Sequence, residues 1–314
     1  MNAPAVSVIL CTRDPHAGRL ARTLAGLAGQ TLDVSNWELL LVDNGSTPAL
    51  SASSLPNPDA RPANLRVISE PVPGLTPARL RGIAESRGEV LVFVDDDNVL
   101  APGYLASALA AFHASPRLAA AGGPVSPEFE SAPPAWTTEF HGLLALHDHG
   151  PCPLFAQGGP DAPWPAFAPV GAGLCLSRSA ALAYASALRS DPARAALDRR
   201  AGQLTSGGDN DIVFTALRAG GDVAYLPELS LSHLIPSSRL DPDYLARLNR
   251  AIQRSWVRVL ALHGSCPWRP VPRWTLPLRA LRARLRARPW RGPAERVRCA
   301  GWIGRLEGQA DLVA

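Results

Sequence analysis

The chain has 314 residues, of which 46% are hydrophobic and 18% charged, which allows one large or two modest domains with a hydrophobic core. This composition excludes a disordered or fibrous protein. All 31 basic residues are arginine, and the formal net charge of +4 is unevenly distributed. Residues 269–305 contain eleven arginines and one acid, whereas acids outnumber arginines in the rest of the chain. The basic character therefore belongs to the C-terminal segment.

Cysteine usage and the absence of long apolar stretches indicate the compartment. The five cysteines are scattered and lack CxxC spacing, which is typical of reduced thiols and not of disulfides or a zinc site. The first residues show no secretory signal pattern, and no apolar stretch reaches the ~20 residues that a membrane-spanning helix needs. We therefore expect a cytoplasmic protein.

Strand and helix patterns alternate over the first hundred residues. Apolar runs of strand length occur at residues 6–11, 37–42, 65–69 and 89–94. Helical patterns occur at residues 18–30 and 74–87, and the second helix is predicted to begin with Thr76 as N-cap and Pro77 at its first position. The alternation predicts an α/β fold with a mostly parallel sheet.

Three consecutive carboxylates, Asp95, Asp96 and Asp97, follow the strand at residues 89–94. Because open α/β sheets bind ligands at the carboxyl ends of their strands, we expect these acids at the mouth of a crevice. Adjacent carboxylates repel one another, and Mg²⁺ or Mn²⁺, which favour oxygen ligands and bind substrate phosphates, would neutralise them. The alternative is a solvated acidic turn that begins the next helix.

Two further polar residues are placed to reach the same edge of the sheet. Asp43 ends the second strand, where its carboxylate can accept from a uracil N3–H or a ribose hydroxyl, or instead form an Asx turn. Arg79, one turn into its helix, can reach a diphosphate or point to solvent. The sequence contains neither GxGxxG nor GxxxxGK[ST], which excludes a Rossmann dinucleotide fingerprint and a P-loop.

Four segments then carry a resemblance to a known family. They are Ser-Val-Ile-Leu-Cys-Thr-Arg-Asp at 7–14, Val-Asp-Asn-Gly-Ser-Thr at 42–47, Gly-Leu-Thr-Pro-Ala-Arg-Leu-Arg-Gly at 74–82 and Phe-Val-Asp-Asp-Asp at 93–97. In order and spacing they resemble the nucleotide-sugar motifs of family 2 glycosyltransferases. The resemblance implies a GT-A-like, Rossmann-related sheet and inverting sugar transfer. It assigns nucleotide-sugar contacts to Thr12, Asp14, Asp43, Arg79, Asp95 and Asp96, and a metal to Asp95 and Asp97.

The middle of the chain contains a long segment without a regular pattern. A helix is predicted at residues 101–115 and a strand at 118–122, followed by an irregular insertion at 124–169 rich in proline and glycine. A strand at 170–176 resembles the small-residue strand of the family. The resemblance implies that donor and acceptor sugars meet there, since Gly171 and Gly173 let a ligand approach the backbone closely. Simple strand packing is the alternative.

The predicted catalytic residue lies in Ser-Gly-Gly-Asp-Asn-Asp at 206–211, just before a helical pattern. The segment resembles the Glu-Asp motif of the family, with Gly208 in place of the glutamate. Asp209 falls in the position of the catalytic base, where a carboxylate at a helix N-terminus stays ionised and can accept a proton from an acceptor hydroxyl. Asp211 remains an alternative base, and both acids could simply cap the helix.

A last strand is predicted at residues 221–227, followed by His233. The spacing of this histidine after Pro227 resembles the late metal-binding histidine of the family, which adds His233 to Asp95 and Asp97 as a metal ligand. A neutral imidazole can complete a site otherwise made of carboxylate, phosphate and water. The alternative is a structural histidine.

The C-terminal segment combines arginine with tryptophan and leucine. A helix is predicted at residues 242–263 and an arginine-rich amphipathic helix at 276–288. This pattern indicates either peripheral contact with an anionic membrane or a basic lid on the catalytic domain. Nucleic-acid binding is not expected, because no recognition motif accompanies the charge.

These patterns together predict a GT-A catalytic domain at 1–235, with a nucleotide-binding half at about 1–100 and an acceptor half at about 101–235, and a helical basic extension at 236–314. We expect an inverting glycosyltransferase that uses Mn²⁺ or Mg²⁺ and a nucleotide-diphospho-sugar, with UDP-sugars favoured. The expected acceptor is a glycan or glycolipid hydroxyl, and the expected setting is surface polysaccharide or glycolipid assembly at the inner face of the plasma membrane. The alternatives are a non-catalytic nucleotide-sugar-binding subunit, favoured by Gly208, and a sugar-phosphate nucleotidyltransferase, which would need a lysine-bearing phosphate loop.

Overall fold

The computed structural model describes residues 3–199 and 204–313. The chain groups into two compact units. The first unit contains Met1–Glu128, Ala145–Pro192 and Ile212–Leu234, and the second contains Phe129–Leu144, Ala193–Asp211 and Ile235–Ala314. The division near residue 235 stays a prediction.

The first unit contains the sheets. The strands are β1 (Val6–Thr12), β2 (Trp37–Asp43), β3 (Leu65–Ser69), β4 (Val90–Asp95), β5 (Asn98–Leu100), β6 (Leu118–Gly122), β7 (Val125–Phe129), β8 (Leu154–Ala156), β9 (Cys175–Ser177), β10 (Asp222–Tyr225) and β11 (Leu231–Ile235). In the described part of the chain, eight of them form one mixed sheet in the order β3-β2-β1-β4-β9-β6-β10-β8. A second sheet has the order β5-β11-β7.

The helices lie between and after the strands. They are α1 (Ala17–Ala28), α2 (Leu75–Glu85), α3 (Tyr104–Ala114), α4 (Arg178–Ser190), α5 (Gly208–Arg218), α6 (Pro242–Leu262), α7 (Leu276–Ala287) and α8 (Pro293–Asp311). A 3₁₀ helix also spans Ala135–Leu144.

The sheet follows from the apolar runs of the sequence. Every residue of β2 is buried, as expected of a strand covered on both faces. The pairings of β1 with β2 and β4, of β2 with β3, and of β6 with β10 are parallel, whereas β9 runs antiparallel to both β4 and β6. The predicted α/β fold with a mostly parallel sheet and a helical C-terminal extension is confirmed. The parallel pairings bring the carboxyl ends of β1, β2 and β4 to one edge.

Four local predictions were wrong. The N-cap of helix α2 is Gly74 and not Thr76, so the helix begins at Leu75. The Gly74 N–H donates to Asn44 Oδ1 (2.7 Å), and the φ of 133° at Gly74 suits only glycine. The insertion at 124–169 contains β7, β8 and a 3₁₀ helix. The strand predicted at 170–176 begins only at Cys175. Strand β10 is not the last, because β11 follows it.

Helix α8 escaped prediction because glycines interrupt its helical pattern. These glycines face α6: a Cβ on Gly304 would lie 2.1 Å from the carbonyl oxygen of Arg250, and a Cβ on Gly301 would lie 2.5 Å from Asn249 Nδ2. A Cβ on Gly308 would lie 2.8 Å from the Cβ of Val257 and 2.9 Å from the carbonyl oxygen of Arg254. The helix propensity lost at three positions is therefore exchanged for close backbone packing against α6.

The helices also bear on the membrane prediction. Within residues 3–199 and 204–313, none of them combines the length and hydropathy that are needed to cross a bilayer.

Candidate functional site

The acidic triplet forms the turn between the two sheets of the first unit. Asp95 is the last residue of β4, and Asp96 and Asp97 connect it to β5. The buried side chain of Asn98 fixes this turn: its Oδ1 accepts from the Asp95 N–H and its Nδ2 donates to Asp97 Oδ1, both at 3.2 Å. The turn that carries the three carboxylates is therefore fixed by local hydrogen bonds and leads into β5, so it is not a loosely solvated helix start.

Asp96 turns towards β1, where the Thr12 hydroxyl donates to its Oδ2. Burial raises the pKa of Asp96 to about 6. The charges of Asp97 and Asp95 act in the same direction, whereas the hydrogen bond from Thr12 opposes the shift. The structure thus brings together two residues predicted to bind the nucleotide-sugar, and it gives one of them an unusual proton affinity.

His233 reaches the same turn from β11. This strand pairs antiparallel with β5, which places His233 opposite Asn98. The Leu234 N–H donates to the carbonyl oxygen of Asp97 (2.8 Å), and His233 Nε2 lies 3.4 Å from Asp97 Oδ2. Both side chains are about 5% exposed. The backbone pairing therefore sets the imidazole beside the carboxylate predicted to bind a metal.

The donor set of this turn fits a metal ion that takes most of its ligands from elsewhere. In the described part of the chain, no group of three or more His, Cys, Asp or Glu side chains is arranged to hold a metal by itself. The pair of Asp97 and His233 supplies one carboxylate and one imidazole. Mg²⁺ and Mn²⁺ are commonly held by one or two carboxylates together with substrate phosphates and water. The arrangement fits that mode of binding.

Asp43 and Asp14 organise the loops at the ends of β1 and β2. The buried carboxylate of Asp43 accepts from the N–H groups of Ser46 (3.0 Å) and Leu50 (2.9 Å). The Asp14 N–H donates to the Ser46 hydroxyl (2.8 Å), and Asp14 Oδ1 accepts from the Thr47 N–H (2.8 Å). These bonds give both acids a part in loop structure. Their contacts to a nucleotide stay predictions.

Arg79 is not the solvated helix residue that was the alternative. Its side chain is 4% exposed, and its guanidinium carbon lies 5.7 Å from the centre of the Phe93 ring, close enough for a cation–π contact. Phe93 belongs to β4, the strand that leads to the acidic triplet. The contact of Arg79 with a base or diphosphate stays a prediction.

The two glycines predicted to face the sugars lie before β9. Gly173 has a φ of 72°, and a Cβ on it would lie 2.5 Å from the Tyr104 hydroxyl, which donates to the Gly173 carbonyl. Backbone conformation and packing against Tyr104 thus explain Gly173 without a ligand. Gly171 is also buried. A sugar contact at either glycine stays a prediction.

The predicted catalytic acids differ sharply in their surroundings within the second unit. Both lie in the first turn of α5. Asp211 is fully buried, and both of its oxygens accept hydrogen bonds, Oδ2 from Arg194 Nε (3.0 Å) and Oδ1 from Arg194 Nη2 (2.5 Å) and His263 Nε2 (2.7 Å). Asp209 is only half-buried, and its Oδ1 accepts from the Asn210 N–H (3.0 Å). Asp211 thus has the surroundings of a structural ion pair.

Comparison with known families gives the site its context. Residues 7–159 match the family described as Glycosyl transferase family 2, and residues 90–237 match the related Glycosyl transferase family group 2. The two matches together include every residue predicted for the site. The chain belongs to glycosyltransferase family 2.

Similar proteins match about a third of the chain. They are the uncharacterized protein y4gI of Sinorhizobium fredii (34% identical over 109 residues, 34% of this chain and 12% of y4gI), the O-antigen biosynthesis protein RfbC of Myxococcus xanthus (32% over 117 residues, 37% and 9%) and EpsH of Bacillus subtilis, named as a putative glycosyltransferase (32% over 106 residues, 33% and 29%). The match therefore spans less than a third of each of these relatives.

A further acid explains how this chain can have glycine at position 208, where the family motif has glutamate. A Cβ on Gly208 would lie 2.3 Å from Asp198 Oδ2, and Asp198 is only 4% exposed. The space in which a side chain at position 208 would begin is therefore filled by another carboxylate. The sequence pattern gave no sign of Asp198, or of Arg194 and His263 beside Asp211, because these residues meet α5 only after folding.

Proposed function

We propose that this family 2 glycosyltransferase transfers a sugar, with inversion, from a nucleotide-diphospho-sugar to a hydroxyl group of a glycan or glycolipid. The observation that supports it most is the acidic turn after β4. There a carboxylate of the triplet lies beside His233 at a 3.4 Å separation, although these two residues are distant in the sequence. Family membership supplies the reaction class.

The donor is proposed to bind along the carboxyl ends of β1, β2 and β4. Thr12 and Asp96 are hydrogen-bonded to each other there, and a ribose hydroxyl can join or replace that bond. Asp14 and Asp43 would line the nucleotide pocket from the loops that they organise. Arg79 would face the base or diphosphate, and UDP-sugars are the favoured donors.

A divalent cation, Mn²⁺ or Mg²⁺, would be held by Asp97 and His233 together with oxygens of the donor diphosphate, and a role for Asp95 as a third ligand stays a prediction. When bound, it neutralises charge on the departing diphosphate. The role of the chain is to hold Asp97 and His233 in place before the donor arrives, through Asn98 and the β5–β11 pairing. Such preorganisation avoids a cost of rearrangement during the reaction.

Asp209 is proposed as the base that accepts the proton of the acceptor hydroxyl as it attacks the anomeric carbon. This assignment rests on the family motif and on the contrast with Asp211. The oxygens of Asp211 already accept hydrogen bonds from Arg194 and His263, so that carboxylate is better suited to fixing the first turn of α5. Gly171 and Gly173 are retained as candidates for sugar contact.

The proposed setting is the assembly of a surface polysaccharide or glycolipid at the inner face of the plasma membrane. The name of the relative RfbC, an O-antigen biosynthesis protein, supports this setting. An acceptor carried on a lipid would require the enzyme to work beside a membrane as a peripheral protein.

The test combines donor binding with transfer. Calorimetry with UDP-, GDP- and TDP-sugars, in Mn²⁺ and in EDTA, should show one donor that binds only with metal. Asp97→Asn should abolish that binding, whereas Asp209→Asn should keep it and lose transfer. Asp59→Asn, an exposed acid elsewhere in the first unit, is the matched control. Transfer by the Asp209→Asn variant at the wild-type rate would overturn the assignment of the base.

A non-catalytic nucleotide-sugar-binding subunit is the second candidate, and Gly208 is the feature that favours it. If the wild-type protein binds the donor with metal but neither transfers the sugar nor slowly hydrolyses the donor, the binding role is favoured over catalysis.

A further inference from the structure

Helix α7 presents its large apolar side chains outwards. Trp274, just before the helix, is 83% exposed, and Leu278, Leu281 and Leu285 are 73%, 50% and 60% exposed. Their spacing of four, three and four residues places them on one narrow stripe of the helix. We call these four residues the α7 face.

The rest of the helix shows that this orientation is the reverse of the usual one. The half-buried positions of α7 include Ala280, Ala283 and Ala287, which lie on the opposite side from the leucines. No residue of α7, all of which the structure describes, is buried. A helix held only by packing within its own unit would bury leucine and expose alanine. Apolar stripes of this kind mark interaction surfaces.

Arginines flank the α7 face on both sides. Arg282 lies on one flank and Arg284 on the other, and both are exposed, as are Arg279, Arg286 and Arg288. The sequence has no aspartate or glutamate from residue 244 to residue 294. All the Asp, Glu, Lys and Arg side chains of this segment are therefore positively charged.

A groove runs beside the face, between α7 and α8. Its volume is about 650 Å³, and it is lined by apolar and basic residues that include Leu278, Arg282, Trp302 and Leu306. The Arg286 guanidinium lies over the Trp302 ring at 5.7 Å. Apolar walls with a guanidinium rim suit a molecule that has an apolar body and an anionic head.

We propose that the α7 face is a docking surface for an anionic lipid leaflet, with α7 parallel to the bilayer plane. The leucines would enter the boundary between headgroups and acyl chains, Trp274 would lie at headgroup level, and the arginines would contact lipid phosphates. Charge complementarity selects this occupant, because an apolar stripe flanked by arginines matches apolar acyl chains beneath an anionic layer. This inference rests on the proposed peripheral setting of the enzyme, but not on sugar transfer itself.

The test is co-sedimentation of the full chain with vesicles of phosphatidylcholine alone and with added phosphatidylglycerol. The wild-type protein should bind only the anionic vesicles, and added salt should weaken the binding. Leu278→Gln/Leu281→Gln should weaken it at least tenfold. Leu182→Gln, which changes a leucine of α4 with the same 50% exposure as Leu281, should have no effect.

Charge is tested separately with Arg282→Gln/Arg284→Gln, which should also lose most of the binding. The control is Arg189→Gln/Arg247→Gln, a pair of exposed arginines that belong to α4 and α6 and not to α7. Binding that depends on the arginines but not on the leucines would overturn the proposal and identify a polyanion site, for a nucleic acid or an acidic protein. Absence of binding to anionic vesicles would also overturn it, as would self-association abolished by Leu281→Gln.

Calorimetry of the donor on the same variants separates this inference from the proposed function. Donor affinity unchanged in a variant that no longer sediments with vesicles would support independent docking. Vesicle binding by a wild-type protein that binds no nucleotide-sugar would leave the docking intact and remove only the proposed enzymatic role.

Discussion

Asp97 in the first unit and Asp211 in the second are both almost completely buried, but their surroundings differ. The guanidinium of Arg194 donates to both oxygens of Asp211, and the imidazole of His263 is hydrogen-bonded to its Oδ1. Asp97 has the Asn98 amide and His233 beside it, and its neighbours in the turn are Asp95 and Asp96. The chain thus pairs one carboxylate with a guanidinium and gathers negative charge around the other. A structural role suits the first arrangement and a cation-binding role suits the second.

The largest effect is expected from removing Asp211. Asp211→Ala leaves Arg194 buried without its carboxylate, which should lower the free energy of unfolding by about 3–5 kcal/mol. Urea denaturation of the variant and the wild type measures this difference in the free energy of unfolding. The double variant Asp211→Leu/Arg194→Met should recover a large part of the loss, because it removes both charges together. A single variant as stable as the wild type would erase the contrast with Asp97.

Asp96 should make the first unit less stable as the pH rises. Its pKa is raised to about 6 in the folded protein, whereas an unfolded aspartate ionises near pH 4. Between these values only the folded state keeps the proton, so the free energy of unfolding should fall as pH rises from about 4 to 6 and then level off. The total fall is at most about 3 kcal/mol.

Asp96→Asn is the variant that isolates this effect. It should flatten the dependence between pH 4 and 6 and stabilise the protein at neutral pH, as measured by urea denaturation across the range. Asp59→Asn, at another exposed acid of the first unit, is the control. An unchanged slope in Asp96→Asn would assign the pH dependence to other groups.

A side chain at position 208 should be accommodated only at the expense of Asp198. Gly208→Glu places a carboxylate against another buried one, and we expect a loss of about 1–3 kcal/mol from overpacking and repulsion. Asp198→Ala/Gly208→Glu should be more stable than Gly208→Glu alone. Thermal unfolding of the two variants compares them directly, and equal stabilities would mean that Asp198 does not occupy this space.

The smallest expected effects distinguish His233, beside Asp97, from His263, beside Asp211. His233→Gln should change the stability by less than about 1 kcal/mol, yet weaken Mn²⁺-dependent donor binding about tenfold or more. His263→Gln should lower the stability and leave donor affinity unchanged. Calorimetry and urea denaturation on both variants give the answer. If His233→Gln keeps wild-type donor affinity, the metal role of this histidine fails.

The sequence predicted strands β1 to β4, β6 and β10 of the large sheet well, because the signals of these strands are local, whereas it missed β8 and misplaced β9. The apolar runs of β1, β2 and β4 are too short for helices and end in polar residues, and the predicted bounds of β3 and β6 agree with the structure. The start of α2 was misplaced because Asn44, thirty residues earlier, holds Gly74. Propensity rules take account only of residues that are close in the sequence, so they do not include a distant hydrogen-bond partner such as Asn44.

The residues of the candidate site also fall into two groups, those that local sequence signals indicate and those that only folding brings together. The acids of the triplet and His233 could be predicted from motif order, and the structure places His233 beside Asp97. The partners that distinguish Asp211 from Asp209 could not, since Arg194 and His263 flank α5 from different parts of the sequence. Asp198 could not be predicted either, because its contact with Gly208 forms only in the folded loop and is not marked by a characteristic spacing in the sequence.

The arginine flanks of α7 have a consequence for regulation. A guanidinium keeps its proton at any pH that a cell reaches, and an enzyme that acetylates lysine finds no amine side chain anywhere in this chain. The positive charge of α7 is therefore permanent. If α7 docks on a membrane as proposed, control over that docking would have to act on the composition of the lipid or on the surrounding salt, and not on the charge of the helix itself.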